Sequence, residues 1–382
     1  MSLPKVSVLY SNGNLLQDVD AVDGIAALCG TGSSAGLLGV PKTVYSLQDA
    51  EDVGYTEAAE PTMYRHLKEF YSEVAGNQEL YIMTVPDTMT MAQMLDNTNA
   101  GGAKKLIAAA QGKVRLLGVF HKPAAGYNGG TDFIDSQVPT AITNAKGFAE
   151  ARLTELVPLR ILIEGRVQNE AAVTPLFHPT TSSNGYAGVV LGGKNPDGSA
   201  SVGLALGRAV KYGAHIKLGK VANGPLSISK VYIGTKEIKD VAGLAELHGA
   251  GYISFMQHPQ KAGFYFGIDR MSSTDDYRLL AYGRVVDKAA VIAAAVYVED
   301  LEGEVAVDAD GKIATSVLTH LKAKIIQQIN VAMADQISGV EVYINPAQNV
   351  ISTGKLTVQL RIRPFGYTSF IDVDLGLVAP AI

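Results

Sequence analysis

The chain has 382 residues, 47% of them hydrophobic and 18% charged, with 40 glycines, one cysteine and a formal net charge of -5. That balance excludes a disordered chain, leaves no basic field for nucleic acid, and shows no Lys/Arg cluster suited to a membrane surface. The length is enough for two or three domains and a substantial core.

The start, MSLPKVSVLY, lacks the charged and apolar regions of a signal peptide, so folding in the cytoplasm is expected. Val6, Val8 and Tyr10 alternate with polar residues, which suits a short extended arm ahead of the body. From residue 24 to 85 the order reads strand (IAALCG), glycine loop, strand (KTVYSL), helix over 62–74, and strand (ELYIMTV). Cys29 in the first strand has no partner for an internal disulfide and reads as a small buried hydrophobe. Residues 91–122 form a further helix-then-strand unit ending in KVRLLGVFH. The helix TNAKGFAEARLTEL and the strand PLRILIEG follow. Strands alternating with helices imply an α/β layer around a largely parallel sheet.

Residues 175–263 are glycine-rich, with short strands (AGVVLGG, SISKVYIG, YISFMQH) and a small helix over 201–212. Past them, an aromatic strand (FYFGIDR) runs into Ser272, Ser273, Thr274, Asp275 and Asp276, which are expected to cap a helix over 276–301. Its repeat of Leu280, Arg284, Asp287, Val291, Ala294 and Val298 has helical spacing, flanked by Val285, Ala289, Ile292 and Val296, with Arg284, Asp287 and Lys288 on a solvated or interfacial ion-pair face. The apolar run over 289–298 is short of the roughly 20 residues that cross a bilayer. In a second helix, over 316–337, Leu318, Leu321, Ile325, Ile329, Met333 and Ile337 make one apolar stripe. The strands VEVYI, KLTVQLRIRP and FIDVDLGLV close the chain, the last two expected to pair antiparallel through a turn at 365–368.

Three patterns suggest catalysis and have simpler explanations. In GTGSSAGLLGVPKT (30–43), Gly30, Gly32 and Ala35 fit a dinucleotide-binding loop, while Gly36, Lys42 and Thr43 approach a phosphate loop. Pro41 stops any helix within two turns and stands where the second phosphate-loop glycine belongs, with no N–H to donate. The seven histidines lie far apart, without metal-ligand spacing, and no G-x-S-x-G elbow marks a nucleophile. Asp275 and Asp276 are accounted for by a helix start.

Taken in order, several segments resemble the contractile-tail sheath proteins of phages and phage-tail-like particles. They are GIAALCGTGSSAGLLGVPKTVYSLQDAEDVG, EFYSEVAGNQELYIMTV, SVGLALGRAV, FYFGIDRMSSTDDYRLLAYGRVVDKAAVI and the terminal layout of long helix, LTVQLRIRP and FIDVDLGLV. The resemblance implies a multi-domain tail-sheath fold, α/β (α+β overall), with extended N- and C-terminal arms. It divides the chain into an arm (1–20), an α/β body (21–263), a tube-proximal domain (264–367) and a C-terminal arm (368–382).

It further implies a structural subunit, not an enzyme, with no cofactor and no metal. Such a subunit polymerises with itself as stacked six-subunit rings around an inner tail-tube protein and meets baseplate and tail-terminator proteins. It neither binds nucleic acid nor inserts in a membrane, and moves from the bacterial cytoplasm into a virion tail or similar particle. Subunit-linking arms would use Lys5, Val6, Val8 and Tyr10 at one end, and Leu356, Val358, Leu360, Ile362, Phe370, Ile371, Val373 and Leu375 at the other. Lys322, Lys324, Gln328 and Asp335 are the candidates for facing the tube. The alternatives are a nucleotide-dependent α/β enzyme using the 30–43 loop and a non-contractile capsid or tube component.

Overall fold

The computed structural model describes residues 24–74, 76–172, 176–309, 311–374 and 376. The N-terminal arm candidates Lys5, Val6, Val8 and Tyr10, and Leu375 near the other end, lie outside the described residues.

The body alternates strand and helix as far as residue 266. Its elements are β1 (Ala26–Gly32), β2 (Lys42–Val44), α1 (Leu47–Asp52), α2 (Pro61–Glu73), β3 (Leu80–Pro86), α3 (Met91–Met94), α4 (Ala103–Ala109), β4 (Leu116–Phe120) and α5 (Gln137–Thr154). Then come β5 (Arg160–Glu164), β6 (Ala187–Leu191), α6 (Val202–Lys211), the two-residue strands β7 (Tyr232–Ile233) and β8 (Lys236–Glu237), α7 (Leu244–Ala250), β9 (Tyr252–Met256) and β10 (Tyr265–Phe266). Eight strands share one sheet in the order β10-β9-β6-β5-β4-β1-β3-β2. The inner six run parallel, and β10 and β2 close the two edges antiparallel.

Every residue of β4, β5 and β6 is buried, as it must be in a sheet covered on both faces. Alternation along β1 divides the work. Ala27 and Cys29 pack with α3, α4 and α5, while Ala26 and Leu28 pack with α2 and α6. The second layer depends on close helix approach: a Cβ on Gly203 would sit 2.1 Å from the His66 carbonyl oxygen, and one on Gly207 2.6 Å from that of Phe70. Burial pushes the Cys29 thiol up to about 12, so it acts as a small hydrophobe.

The C-terminal unit contains α8 (Leu280–Tyr297), α9 (Thr315–Met333), β11 (Gly339–Ile344), α10 (Val350–Thr353) and β12 (Val358–Arg363). The stripe Leu318, Leu321, Ile325, Ile329, Met333 and Ile337 is buried throughout. It packs with α8 and with one face of an antiparallel β11–β12 pair, through Val340, Val342, Leu360 and Ile362.

Three expectations change here. The helix starts at Leu280 rather than 276, because Asp275 closes a turn upstream: its carboxylate accepts the Tyr277 N–H at 2.8 Å and its carbonyl the Arg278 N–H at 3.1 Å. The buried stripe of α8 is Val285, Ala289, Ile292 and Val296, whereas Val298 is 57% exposed beyond the helix end. And β12 pairs with β11, leaving 370–374 outside any strand.

Arg284, Asp287 and Lys288 are buried, not solvated. Asp287 meets Arg160, the first residue of β5, in a two-pronged bond: Nε donates to Oδ2 at 2.7 Å and Nη2 to Oδ1 at 2.6 Å. Arg160 also donates to the Gly185 carbonyl at 2.8 Å and lies over the rings of Tyr186 and Tyr277, at 4.8 and 5.7 Å. Burial opposes its charge, but Asp287 more than offsets that and holds the guanidinium pKa above its ordinary value.

Asp287→Ala would strand a buried guanidinium and is expected to destabilise the chain by about 3–5 kcal/mol in denaturant unfolding. Arg160→Met with Asp287→Leu, which removes both charges, should recover most of that loss. A double variant as unstable as the single one would show that the pair is not what joins α8 to the sheet.

Candidate assembly surfaces

The carboxyl ends of parallel strands are where open α/β sheets place ligands, so the loop after β1 is the first place to look for chemistry. The first backbone donors of that loop are already occupied. The Ser33 N–H donates to both Glu60 carboxylate oxygens (3.0 and 3.1 Å) and the Ser34 N–H to Oε1 at 2.6 Å. Glu60 is 1% exposed, placed by the proline that opens α2 at the next residue. A protein carboxylate thus sits where a phosphate would have to bind. The glycines serve packing: a Cβ on Gly30 would lie 2.2 Å from the Phe120 ring, and one on Gly32 2.5 Å from the Thr84 side chain. No helix follows the loop; the chain bridges to Thr84 at Leu38 and enters β2 at Lys42.

At the other end of the molecule, the main-chain surface is open. Among the described residues β11 and β12 pair only with each other, so each has an unpaired edge. Their inner face carries Val340, Val342, Leu360 and Ile362, and their outer face Glu341, Tyr343, Gln359, Arg361 and Arg363. Tyr343 is 52% exposed there, and Arg363 forms an ion pair with Glu341 across the strands. Of the arm candidates, Val358, Leu360 and Ile362 therefore lie in β12, and Leu356 packs just ahead of it against the same unit.

The chain after β12 is pinned and then released. The Tyr367 hydroxyl donates to the His215 carbonyl, and its ring stacks on Tyr282 at 5.5 Å. Lys217 lies 5.4 Å above that ring, donates to Ser369 Oγ at 3.4 Å and stands 3.7 Å from Asp269. Burial pushes the Asp269 carboxyl up to about 6. Beyond this anchor Phe370, Ile371 and Val373 are 82%, 77% and 71% exposed. These apolar side chains, interspersed with Asp372 and Asp374, are left largely uncovered by the described residues.

The tube-facing candidates differ from one another, and α9 ends at Met333, so Asp335 lies just past it and the helix is shorter than the 316–337 expected. Gln328 and Asp335 are exposed and Lys322 is half-buried. Lys324 is engaged within the subunit, 3.2 Å from Glu299 and 3.3 Å from Asp300. Among the described residues no helix is long and apolar enough to cross a membrane.

The chain belongs to the DUF2586 family, whose N-terminal domain matches residues 3–270 and whose C-terminal domain matches residues 276–381. No curated protein matches it. Among solved structures it is similar to the helical sheath of the anti-feeding prophage in its contracted state, at 16% identity and a TM-score of 0.62, covering 98% of this chain and 99% of that one. The sheath of the PVC extracellular contractile injection system, also contracted, gives 12% identity, a TM-score of 0.60 and 98% coverage of both chains. A sheath tail protein from Desulfitobacterium hafniense gives 11% identity and a TM-score of 0.53, over 94% of this chain and all of that one. The fold is therefore that of contractile sheath proteins along nearly the whole chain, and α/β with the mixed sheet described above.

With its loop donors held by Glu60, the chain should give no saturable heat with ATP or NAD in titration calorimetry. Saturable binding that Lys42→Ala abolishes would return the loop to nucleotide chemistry.

Proposed function

We propose that the chain is the self-assembling sheath subunit of a contractile tail or injection machine. It would polymerise as stacked six-subunit rings around an inner tube and contract to drive that tube through a target envelope. The observation that carries this reading is a two-stranded sheet whose outer edges are unpaired among the described residues, in a subunit that also exposes Phe370, Ile371 and Val373. A free edge offers unpaired N–H and C=O groups, and a strand from another copy satisfies them with little demand on its side chains. The tail of one copy fits that role on the β11–β12 sheet of another. Because donor and acceptor are different surfaces, the contact is head-to-tail and propagates into a helical array instead of closing as a dimer. Similarity of fold to sheath proteins over 98% of the chain supports the same reading.

On this reading residues 1–20 and 368–382 are the linking arms, 21–263 the body and 264–367 the domain nearest the tube. Contraction is a rigid-body rearrangement of bodies that stay tethered by their arms. Further partners are the inner tube protein, the baseplate and the tail terminator, and the completed product is a virion tail or a phage-tail-like particle assembled in the bacterial cytoplasm. The chain needs no catalytic group for any of this.

Deleting 1–12, or separately 368–382, should leave the thermal melt close to that of the intact chain while abolishing tubes in negative-stain micrographs. Arms that complete a neighbour's sheet would contribute little to the subunit's own fold, whereas every lattice contact of that kind is lost at once. Normal tubes from both truncations would end the strand-exchange model.

If α9 faces the tube, Lys322→Glu should lower sheath polymerisation on purified tubes, most strongly at low salt. Lys322 is the cleaner probe because reversing Lys324 would also break its pairs with Glu299 and Asp300. Unchanged assembly at low salt removes α9 from the tube contact.

A further inference from the structure

At the carboxyl ends of β4, β5 and β6 lies a crevice of about 290 Å³ whose wall carries Arg65, Lys68, Lys122, Arg166 and Lys194. Two of the three carboxylates in the same wall are already committed. Glu164 accepts the N–H groups of His121 at 2.8 Å and Ala200 at 3.1 Å, and Asp197 accepts the N–H and hydroxyl of Ser199 at 3.0 and 2.5 Å. Among the described residues no ion pair engages Lys68, Lys122 or Lys194; Lys68 lies 5.9 Å over the Tyr64 ring. The Arg65 guanidinium rests on Ser199 and His66, with its buried Nε unpartnered. In a chain of net charge -5, this is a local concentration of positive charge.

The complementary surface lies in the C-terminal unit, where the loop after α8 reads EDLEGEVAVD over 299–308. Glu299 and Asp300 pair with Lys324, and Asp308 accepts the Lys312 N–H at 2.9 Å to close a turn. Glu302 and Glu304 are exposed and have no such partner among the described residues. Between these acids Leu301 is 71% exposed.

We propose that the crevice of one copy receives the 299–304 loop of a second copy, Glu302 and Glu304 meeting Lys68, Lys122 and Lys194. The inference rests on the self-assembly reading above. A phosphate group is the poorer occupant, because phosphate sites are built from convergent backbone N–H groups. At this end of the sheet those of Ser33, Ser34, His121 and Ala200 already serve Glu60 and Glu164. What remains are the exposed ammonium groups of Lys68, Lys122 and Lys194 beside the guanidiniums of Arg65 and Arg166, a row of side-chain cations that an acidic segment can match.

Charge reversal tests the pairing. Lys68→Glu with Lys194→Glu, and separately Glu302→Lys with Glu304→Lys, should each cut the sedimentable polymer by about tenfold or more at low salt. All four changes in one chain should restore it to within about twofold. Normal assembly of either double variant, or no recovery in the quadruple one, would overturn the proposal. Titration with inorganic pyrophosphate gives the competing outcome: saturable binding, lost with Lys68→Glu and Lys194→Glu while assembly persists, makes this a small-anion site. A second measurement does not depend on sheath formation. Cys29 is buried and is the chain's one cysteine, so Lys122→Cys and Glu304→Cys chains, mixed at high concentration, should be joined by a short bis-maleimide, and less so in high salt. If the intact chain forms no polymer but the cross-link appears, the sheath reading fails and the contact stands. Absence of the cross-link from mixed chains, polymerised or concentrated, overturns the contact.

Discussion

Arg160 opens a strand at the middle of the eight-stranded sheet and Asp287 sits midway along α8, so their forked bond sets how the C-terminal unit stands on the body. Net stabilisation is not what such a pair supplies, because desolvating two charges costs nearly as much as their attraction returns. Its value is directional. A guanidinium held by Asp287, by the Gly185 carbonyl and between two tyrosine rings is satisfied in one geometry alone. Even the helix backbone is shaped to it, since a Cβ on Gly283 would fall 2.7 Å from Arg160 Nε. The buried pair thus fastens α8 to the sheet, a stiffness that the proposed contracting subunit would need.

The sheet places internal carboxylates at the strand ends where open α/β sheets hold ligands. Parallel strands still end in glycine loops and main-chain donors, but Glu60 and Glu164 fill the donor positions from within the chain. Each internal carboxylate ties together the loop whose N–H groups it accepts. The crevice that remains is walled by side chains, so it is suited to a partner's charged surface.

Much of this was legible in the sequence, where local pattern decides structure. The stripe from Leu318 to Ile337 repeats every three or four residues, and the alternation of strands with helices forces a parallel layer. Long-range pairing was not legible. Arg284, Asp287 and Lys288 look like a solvated face because their spacing explains itself locally, while the partner of Asp287 lies 127 residues away. The alternation of KLTVQLRIRP marks a strand with two faces but does not say which neighbour it joins, and β11 was chosen over the segment that follows. Glu60 was invisible for the same reason: Pro61 announces a helix start, and nothing nearby in the sequence says that the preceding carboxylate reaches across to the β1 loop.

The two proposed kinds of contact divide their labour by their physics. Strand addition is made of main-chain hydrogen bonds, whose strength depends little on side-chain identity and little on salt, and an extended segment between two anchored ends can swing without breaking them. It suits a tether that must survive a large rearrangement, and the anchor at Tyr367 defines where such a tether would begin. Contacts between lysines and a loop of glutamates are the opposite. They are long-ranged, screened by ions and replaceable by water at small cost, so they can bias one arrangement of neighbours and be surrendered in another. A lattice built from both kinds keeps its connectivity while its geometry changes. On the proposed reading, the buried Arg160–Asp287 joint would favour motion between subunits over motion within them.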